Sequence, residues 1–170
     1  MNTDMADLAK LDRLVELTQY DLDAPGLRAE LDDITRHTAE ELGQPVSLVT
    51  IVLDRAQLFL GRHGLEGWAD EAGGTPAEWA FCAEMVRTGR PYVMPDATVD
   101  PLHHDNPLVT EVGVRSYAGA PLVTDNGQVL GGHCVVGLEP HEYSEHDLAV
   151  LREAADHVME ALERYRTESR

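Results

Sequence analysis

Arg115, Tyr117 and His133 are the residues of this 170-residue chain whose types and placement best suit the binding of a small molecule. They fall in two apolar or small-residue runs, Arg115 to Leu122 and Val129 to Leu138, separated by Asp125-Asn126-Gly127. An Asn-Gly pair between two such runs is a strong hairpin signal. Strand alternation sorts the side chains into faces. Arg115, Tyr117 and Gly119 share one face, with Ser116, Ala118, Ala120 and Leu122 on the other. On the partner strand, His133 and Val135 fall on one face and Leu130, Cys134, Val136 and Leu138 on the opposite one. The small and aliphatic set is expected to pack beneath helices, which leaves the Arg, Tyr and His set to face a ligand. Arg115 would pair with an anion, and Tyr117 and His133 would shape the cavity.

The segment before this hairpin supplies the other wall. Asp96, Asp100, His103, His104 and Asp105 crowd into ten residues. Asn106 then suits an N-cap, Pro107 the first helical position, and Leu108-Val109 the start of an apolar turn. A helix start there would offer free backbone N–H groups to a phosphate or carboxylate, which makes Asp96 and Asn106 candidate site residues. Adjacent His103 and His104 could share a metal only on a sharply bent loop, and no paired Cys or i,i+4 His supports them, so no metal is expected and no cofactor is specified. Thr75-Pro76-Ala77-Glu78 reads as a capping box for a helix to about Thr88, whose stripe of Trp79, Cys82, Met85 and Val86 would line the pocket or the core. A reactive thiol needs an electropositive setting, and Glu78 and Glu84 work against one at Cys82. Cys134 is expected on the opposite face of the sheet, so the two thiols are expected reduced and unbridged.

These residues require a scaffold. Met5, Leu8, Leu11 and Val15 predict an N-terminal helix over about 4–20, and Leu27, Leu31, Ile34 and Leu42 a second one closed by Gly43. Val46 to Leu53 reads as a central strand, Gln57 to His63 as its neighbour, and Pro91 to Met94 as a further strand. After the hairpin, Ser144 and Asp147 cap a helix over about 145–166, whose Leu148, Leu151, Ala155, Val158, Leu162 and Tyr165 form a heptad-like seam. The expectation is a single α+β domain over 1–170 with its core at about 27–138. An antiparallel sheet of five or six strands would carry the terminal helices on one face and a loop-covered pocket on the other.

Thirteen basic residues against thirty-one acidic give a formal charge of −18, which repels nucleic acid and anionic lipid. The longest apolar run falls far short of the roughly 20 residues that span a bilayer, and charge in the first fourteen residues is unlike a signal peptide. No nucleic-acid or membrane partner is expected, and the protein reads as cytoplasmic.

In order and spacing, FCAEMVRTGRPYV, then PDATVDP with DNPLV, then RSYAGAPL joined through DNG to VLGGHCVVGL resemble the central half of a GAF domain, and the flanking helices extend the likeness from about Leu14 to Leu162. The resemblance implies a sensory module of signal transduction that holds a ligand beside an antiparallel sheet and signals through its helices, often as a homodimer with bundled terminal helices. Such modules usually sit beside a kinase, a diguanylate cyclase or a DNA-binding domain, so this chain is expected to act through a signalling partner. The Asn-Lys and Phe-Asp-Glu signature of cyclic-nucleotide binders is missing, and Cys82 is followed by Ala83 rather than by the histidine usual at bilin attachment sites. Free methionine sulfoxide reductases of this family use loop cysteines, whereas these two fall on a helix and a strand. The last strand departs from its relatives' Gly-Thr-Leu-Cys pattern by placing His133 at the leucine, which implies a changed pocket. The expected function is therefore a non-enzymatic, ligand-binding regulatory domain. A dimerisation or docking module without ligand is the alternative, and an enzyme resembling the sulfoxide reductases is third.

Overall fold

The computed structural model describes residues 7 to 167. Six strands form one sheet: β1 (Val46–Val52), β2 (Ala56–His63), β3 (Gly74–Pro76), β4 (Tyr92–Met94), β5 (Ser116–Val123) and β6 (Val129–Gly137), in the order β3-β2-β1-β6-β5-β4. Every pairing is antiparallel. β1 is buried at all but its first position, as its apolar, β-branched sequence demands of a strand covered on both faces. Gly127, at φ 85, closes the β5–β6 hairpin with its N–H on Thr124 O.

One face is covered by α2 (Pro25–Leu42) and α5 (Glu145–Arg164), flanked by the short α1 (Leu11–Leu17). Leu27 and Leu31 of α2 pack with Val49, Ile51, Ala118, Ala120 and Leu122 of the sheet. Gly43, at φ 68, terminates α2 in the left-handed conformation and returns its N–H to Ala39 O. The capping box of α5 is formed as expected, Ser144 Oγ accepting from Asp147 N–H and Asp147 Oδ2 from Ser144 N–H. The heptad-like seam is consumed within this chain, because Leu151, Ala155, Val158 and Leu162 are buried on the sheet. The opposite face carries a second apolar layer, in which Phe81, Cys82 and Met85 around α4 (Ala83–Thr88) pack on Leu48, Phe59, Tyr117 and Cys134. A further short helix, α3 (Trp68–Ala72), follows β2.

Three expectations change. The N-terminal helix spans Leu11–Leu17 rather than 4–20, and Met5 lies outside the described residues. The helix expected from Thr75 is broken up. Gly74–Pro76 forms edge strand β3 against β2, Ala77–Trp79 is a 3₁₀ turn, and only Ala83–Thr88 is α-helical. Pairing wins over capping because the Thr75 hydroxyl is taken by Gln57 and by Pro76 O, and proline is tolerated on an edge strand. The β5–β6 register also differs from the expected assignment of faces. Tyr117 lies opposite Val136, Gly119 opposite Cys134, and Ala120 opposite His133. Directly opposed residues share a face, so Cys134 joins Tyr117, while His133 turns to the helices. Alternation orders side chains within a strand but leaves open which set of one strand meets which set of the next.

Candidate ligand-binding site

A cavity of about 120 Å³ lies between the second face of the sheet and its cover. Leu48 and Thr50 of β1, Gln57 and Phe59 of β2, Tyr117 of β5 and Cys134 of β6 form the floor, and Trp68, Phe81, Cys82, Leu108 and Val112 lie over it. Among the described residues, no acidic, basic or histidine side chain lines it. Glycine lets the cover come close: a Cβ at Gly132 would overlap Met85 Cε and stand 3.0 Å from Cys82 Sγ. At the mouth Trp68, 48% exposed, meets Trp79 edge-on with ring centroids 6.5 Å apart.

The polar part of the floor is internally paired. Cys82 Sγ and Tyr117 Oη are 2.9 Å apart, and Cys82 also shares hydrogen bonds with Cys134 and Thr50. Burial pushes the Cys82 thiol up, but these hydrogen bonds outweigh it and hold the thiol below its ordinary value. Cys134, on the other side of the same pair, is pushed well above it by the bond to Cys82 and by burial. Burial, followed by the neighbouring thiols, drives the Tyr117 phenol well above its ordinary value, so it stays protonated. The two cysteines are free thiols on one face, contrary to the expectation of opposite faces.

The loop over the cavity is clamped by a buried ionic network. Glu84 takes a hydrogen bond from His103 Nε2 at 2.9 Å and pairs with Arg87. Asn106 Nδ2 donates to Trp79 O at 3.2 Å and to His103 Nδ1 at 3.0 Å, which places the His103 proton on Nε2. Burial raises the Glu84 carboxyl, yet the bonds from His103 and Arg87 hold it below the usual range. Tyr92 Oη donates to Asp100 Oδ2 at 2.6 Å, and the same oxygen accepts from the backbone of Leu102 and His103.

Of the seven residues expected at the site, Cys82 and Tyr117 line the cavity. Trp79 backs Trp68 at its mouth, and Asn106 holds the Trp79 carbonyl. Asp96 caps the Ala97–Val99 turn through Thr98 N at 3.0 Å. Arg115 Nη1 donates to Val109 O and Val114 O, closing the loop on itself rather than reaching into the cavity. The backbone donors expected to take an anion are also used. Leu108 N bonds Asn106 Oδ1, Val109 N and Thr110 N bond Asn106 O, and Leu108–Val112 is a single π-type turn. His133 lies on the helix side, its Nδ1 3.1 Å from Leu48 O and its Nε2 2.9 Å from the Thr38 hydroxyl. Sequence reasoning missed Thr50, Gln57, Phe59, Trp68 and Cys134. Period-two alternation along Leu48–Thr50 and Gln57–Phe59 holds each pair on one face, but only register shows that this face is the cavity's.

The GAF domain model matches residues 28–163. A cyclic di-GMP phosphodiesterase of Pseudomonas aeruginosa is 38% identical over 117 residues, which are 68% of this chain and 19% of that protein, so the chain spans about a fifth of this relative. The GAF domain of a phosphoenolpyruvate-protein phosphotransferase from Coxiella burnetii superposes with a TM-score of 0.69 at 20% identity, covering 95% of this chain and 96% of that one. The free methionine-R-sulfoxide reductase of Neisseria meningitidis gives a TM-score of 0.66 at 17% identity, covering 96% and 93%. The two structures share the fold, and the match across residues 28–163 carries the assignment: this chain belongs to the GAF domain family.

Proposed function

We propose that the protein is a non-enzymatic regulatory domain that binds a small molecule in the cavity beneath α3 and the 108–112 turn, and passes the state of that cavity to a signalling partner. The cavity carries this reading. Protein interiors are close-packed, and an empty apolar space of about 120 Å³ costs on the order of 3 kcal/mol. A ligand that fills it recovers that energy. The signalling role draws on the relative named as a cyclic di-GMP phosphodiesterase, of which this chain matches only a minor part. The free thiols Cys82 and Cys134 fit a reducing, cytoplasmic setting. The proposed homodimer would use α1, whose Leu11 and Val15 are 73% and 49% exposed. Sedimentation velocity of Leu11→Lys, expected to be monomeric where the parent protein is dimeric, checks it.

Native mass spectrometry tests the ligand reading. The purified protein is expected to carry an extra mass that is lost on denaturation. Val136→Phe, which fills the cavity from β6, is expected to lose that mass while melting within a few degrees of the parent protein. A mass-free protein whose melting temperature is unmoved by a metabolite library would instead favour a docking module without ligand.

A further inference from the structure

Cys82 and Cys134 reach into the cavity from its two sides. Cys82 stands at the start of α4, in the cover, and Cys134 lies on β6, in the floor. Gly132, two residues before Cys134 on the same face of β6, permits the approach, since a Cβ there would stand only 3.0 Å from Cys82 Sγ. The two thiols share a hydrogen bond, and the Tyr117 hydroxyl is 2.9 Å from the same Cys82 sulfur. Neither cysteine is bridged, and each is only 1% exposed. The route to both sulfurs is therefore the cavity that they line.

The surroundings of the two sulfurs give them different roles. Burial opposes ionisation of Cys82, yet hydrogen bonds from Cys134, Thr50 and Tyr117 hold its thiol below the ordinary value. The bond to Cys82, and then burial, push Cys134 well above its own. Because the thiolate is the nucleophile, Cys82 is the sulfur that attacks and Cys134 the one placed to resolve the product. The cavity also selects the oxidant. A space of about 120 Å³ admits a molecule little larger than water but not a peptide disulfide. Among the described residues no charged side chain lines it, and the chain's charge of −18 repels anionic oxidants.

We propose that Cys82 and Cys134 are a peroxide-sensing pair: hydrogen peroxide entering the cavity oxidises Cys82, and Cys134 then closes a disulfide that fastens α4 to β6. In the first step the Cys82 sulfur bonds one peroxide oxygen, the O–O bond breaks, and the departing hydroxide takes the proton that Cys82 gave up and leaves as water. In the second, the Cys134 sulfur displaces the hydroxyl from Cys82. The S–S bond forms as the S–O bond breaks, and the hydroxyl leaves as water with the Cys134 proton. Two thiols are oxidised and one peroxide is reduced to two waters, with no further reactant. This goes beyond the ligand reading and stands without it.

Treating the full chain with hydrogen peroxide, then measuring intact mass, thiol content and the peptide map, tests the pair. The protein is expected to lose two hydrogens, about 2 Da, as both thiols disappear together, with Cys82 joined to Cys134 in one chain and dithiothreitol reversing the change. Thiol loss is expected to be faster in the folded protein than in urea, where the donors around Cys82 are gone. Cys134→Ser is expected to stop at a Cys82 sulfenic acid, about 16 Da heavier and trapped by dimedone. In Cys82→Ser, Cys134 is expected to react at least about tenfold more slowly than Cys82 does in Cys134→Ser. If a variant fails to fold, the bridge and the folded-to-unfolded rate ratio of the parent protein decide. Cys134 reacting as fast as Cys82, bridges between chains rather than within one, or thiols that react more slowly in the folded protein than in urea overturn the proposal.

Discussion

His133 shows what a single buried titratable group does to this fold. It is wholly buried, and burial lowers its pKa from 6.5 to about 4, against a small upward pull from Leu48 O. Leu48 O can only accept, so Nδ1 carries the proton of the neutral ring and Nε2 accepts from Thr38. In the unfolded chain the ring protonates near pH 6.5, so as pH falls below about 7 the unfolded state gains the proton first and folding weakens. The loss continues until pH approaches 4, where the folded ring also protonates, and it amounts to order 3 kcal/mol. Urea unfolding between pH 7.5 and 4.5 is expected to show this decline, and His133→Asn to flatten it. Glu84 titrates in a different window. Its depressed carboxyl contributes stability that is complete above the ordinary glutamate pKa and is lost only as pH falls further, through the lowered value. An unchanged slope in His133→Asn would place the acid sensitivity elsewhere.

At the scale of elements, the cover of the cavity depends on the clamp between α4 and the loop that follows β4. Glu84 and His103 are 5% and 4% exposed, and each answers a group that would otherwise be buried unpaired. Glu84→Gln keeps the shape but withdraws the charge facing Arg87, so it is expected to cost about 2–4 kcal/mol and to speed amide exchange over 97–112 well before the central strands. Equal exchange in both proteins would show that the loop is held by its backbone turns instead. Much of this element was legible. The hairpin, the Gly43 stop, the Ser144–Asp147 cap and the long loop with its Asn106 turn all rest on local chemistry that acts within four or five residues. What escaped depends on contacts distant in sequence. The Thr75-Pro76 cap signal was overruled by a strand eighteen residues earlier. Cys134 changed faces through a register that no single strand encodes, and Arg115 was drawn to the carbonyls of Val109 and Val114 rather than to an anion.

Over the whole molecule, β6 connects the two layers: Cys134 faces the cavity while its neighbours His133 and Val135 face the helices. The cavity and the α2–α5 layer therefore share one central strand. The far end of that helical layer is fastened by Arg166, whose guanidinium pairs with Glu16 at 2.6 Å and Glu163 at 3.0 Å and stacks 4.7 Å from the Tyr20 ring centroid. Tyr20 and Arg166 also form an isolated β-bridge, so the segment after α1 is tied to the end of α5. In a chain of charge −18 this cation matters beyond its own contacts, because without it Glu16 and Glu163 face each other across the Tyr20 hydroxyl. Arg166→Ala is expected to cost about 1–2 kcal/mol, given the low exposure of both Arg166 and Glu16. Its amide exchange should rise in residues 11–21 and stay unchanged in β1 and β6. Raising sodium chloride from 0.05 to about 0.5 M should raise the melting temperature of both proteins by screening their shared negative charge, and should raise that of the variant more. A variant with the same salt response as its parent would mean that Arg166 acts by packing on Tyr20. The tie between the terminal segments would then be apolar, and salt would leave it untouched.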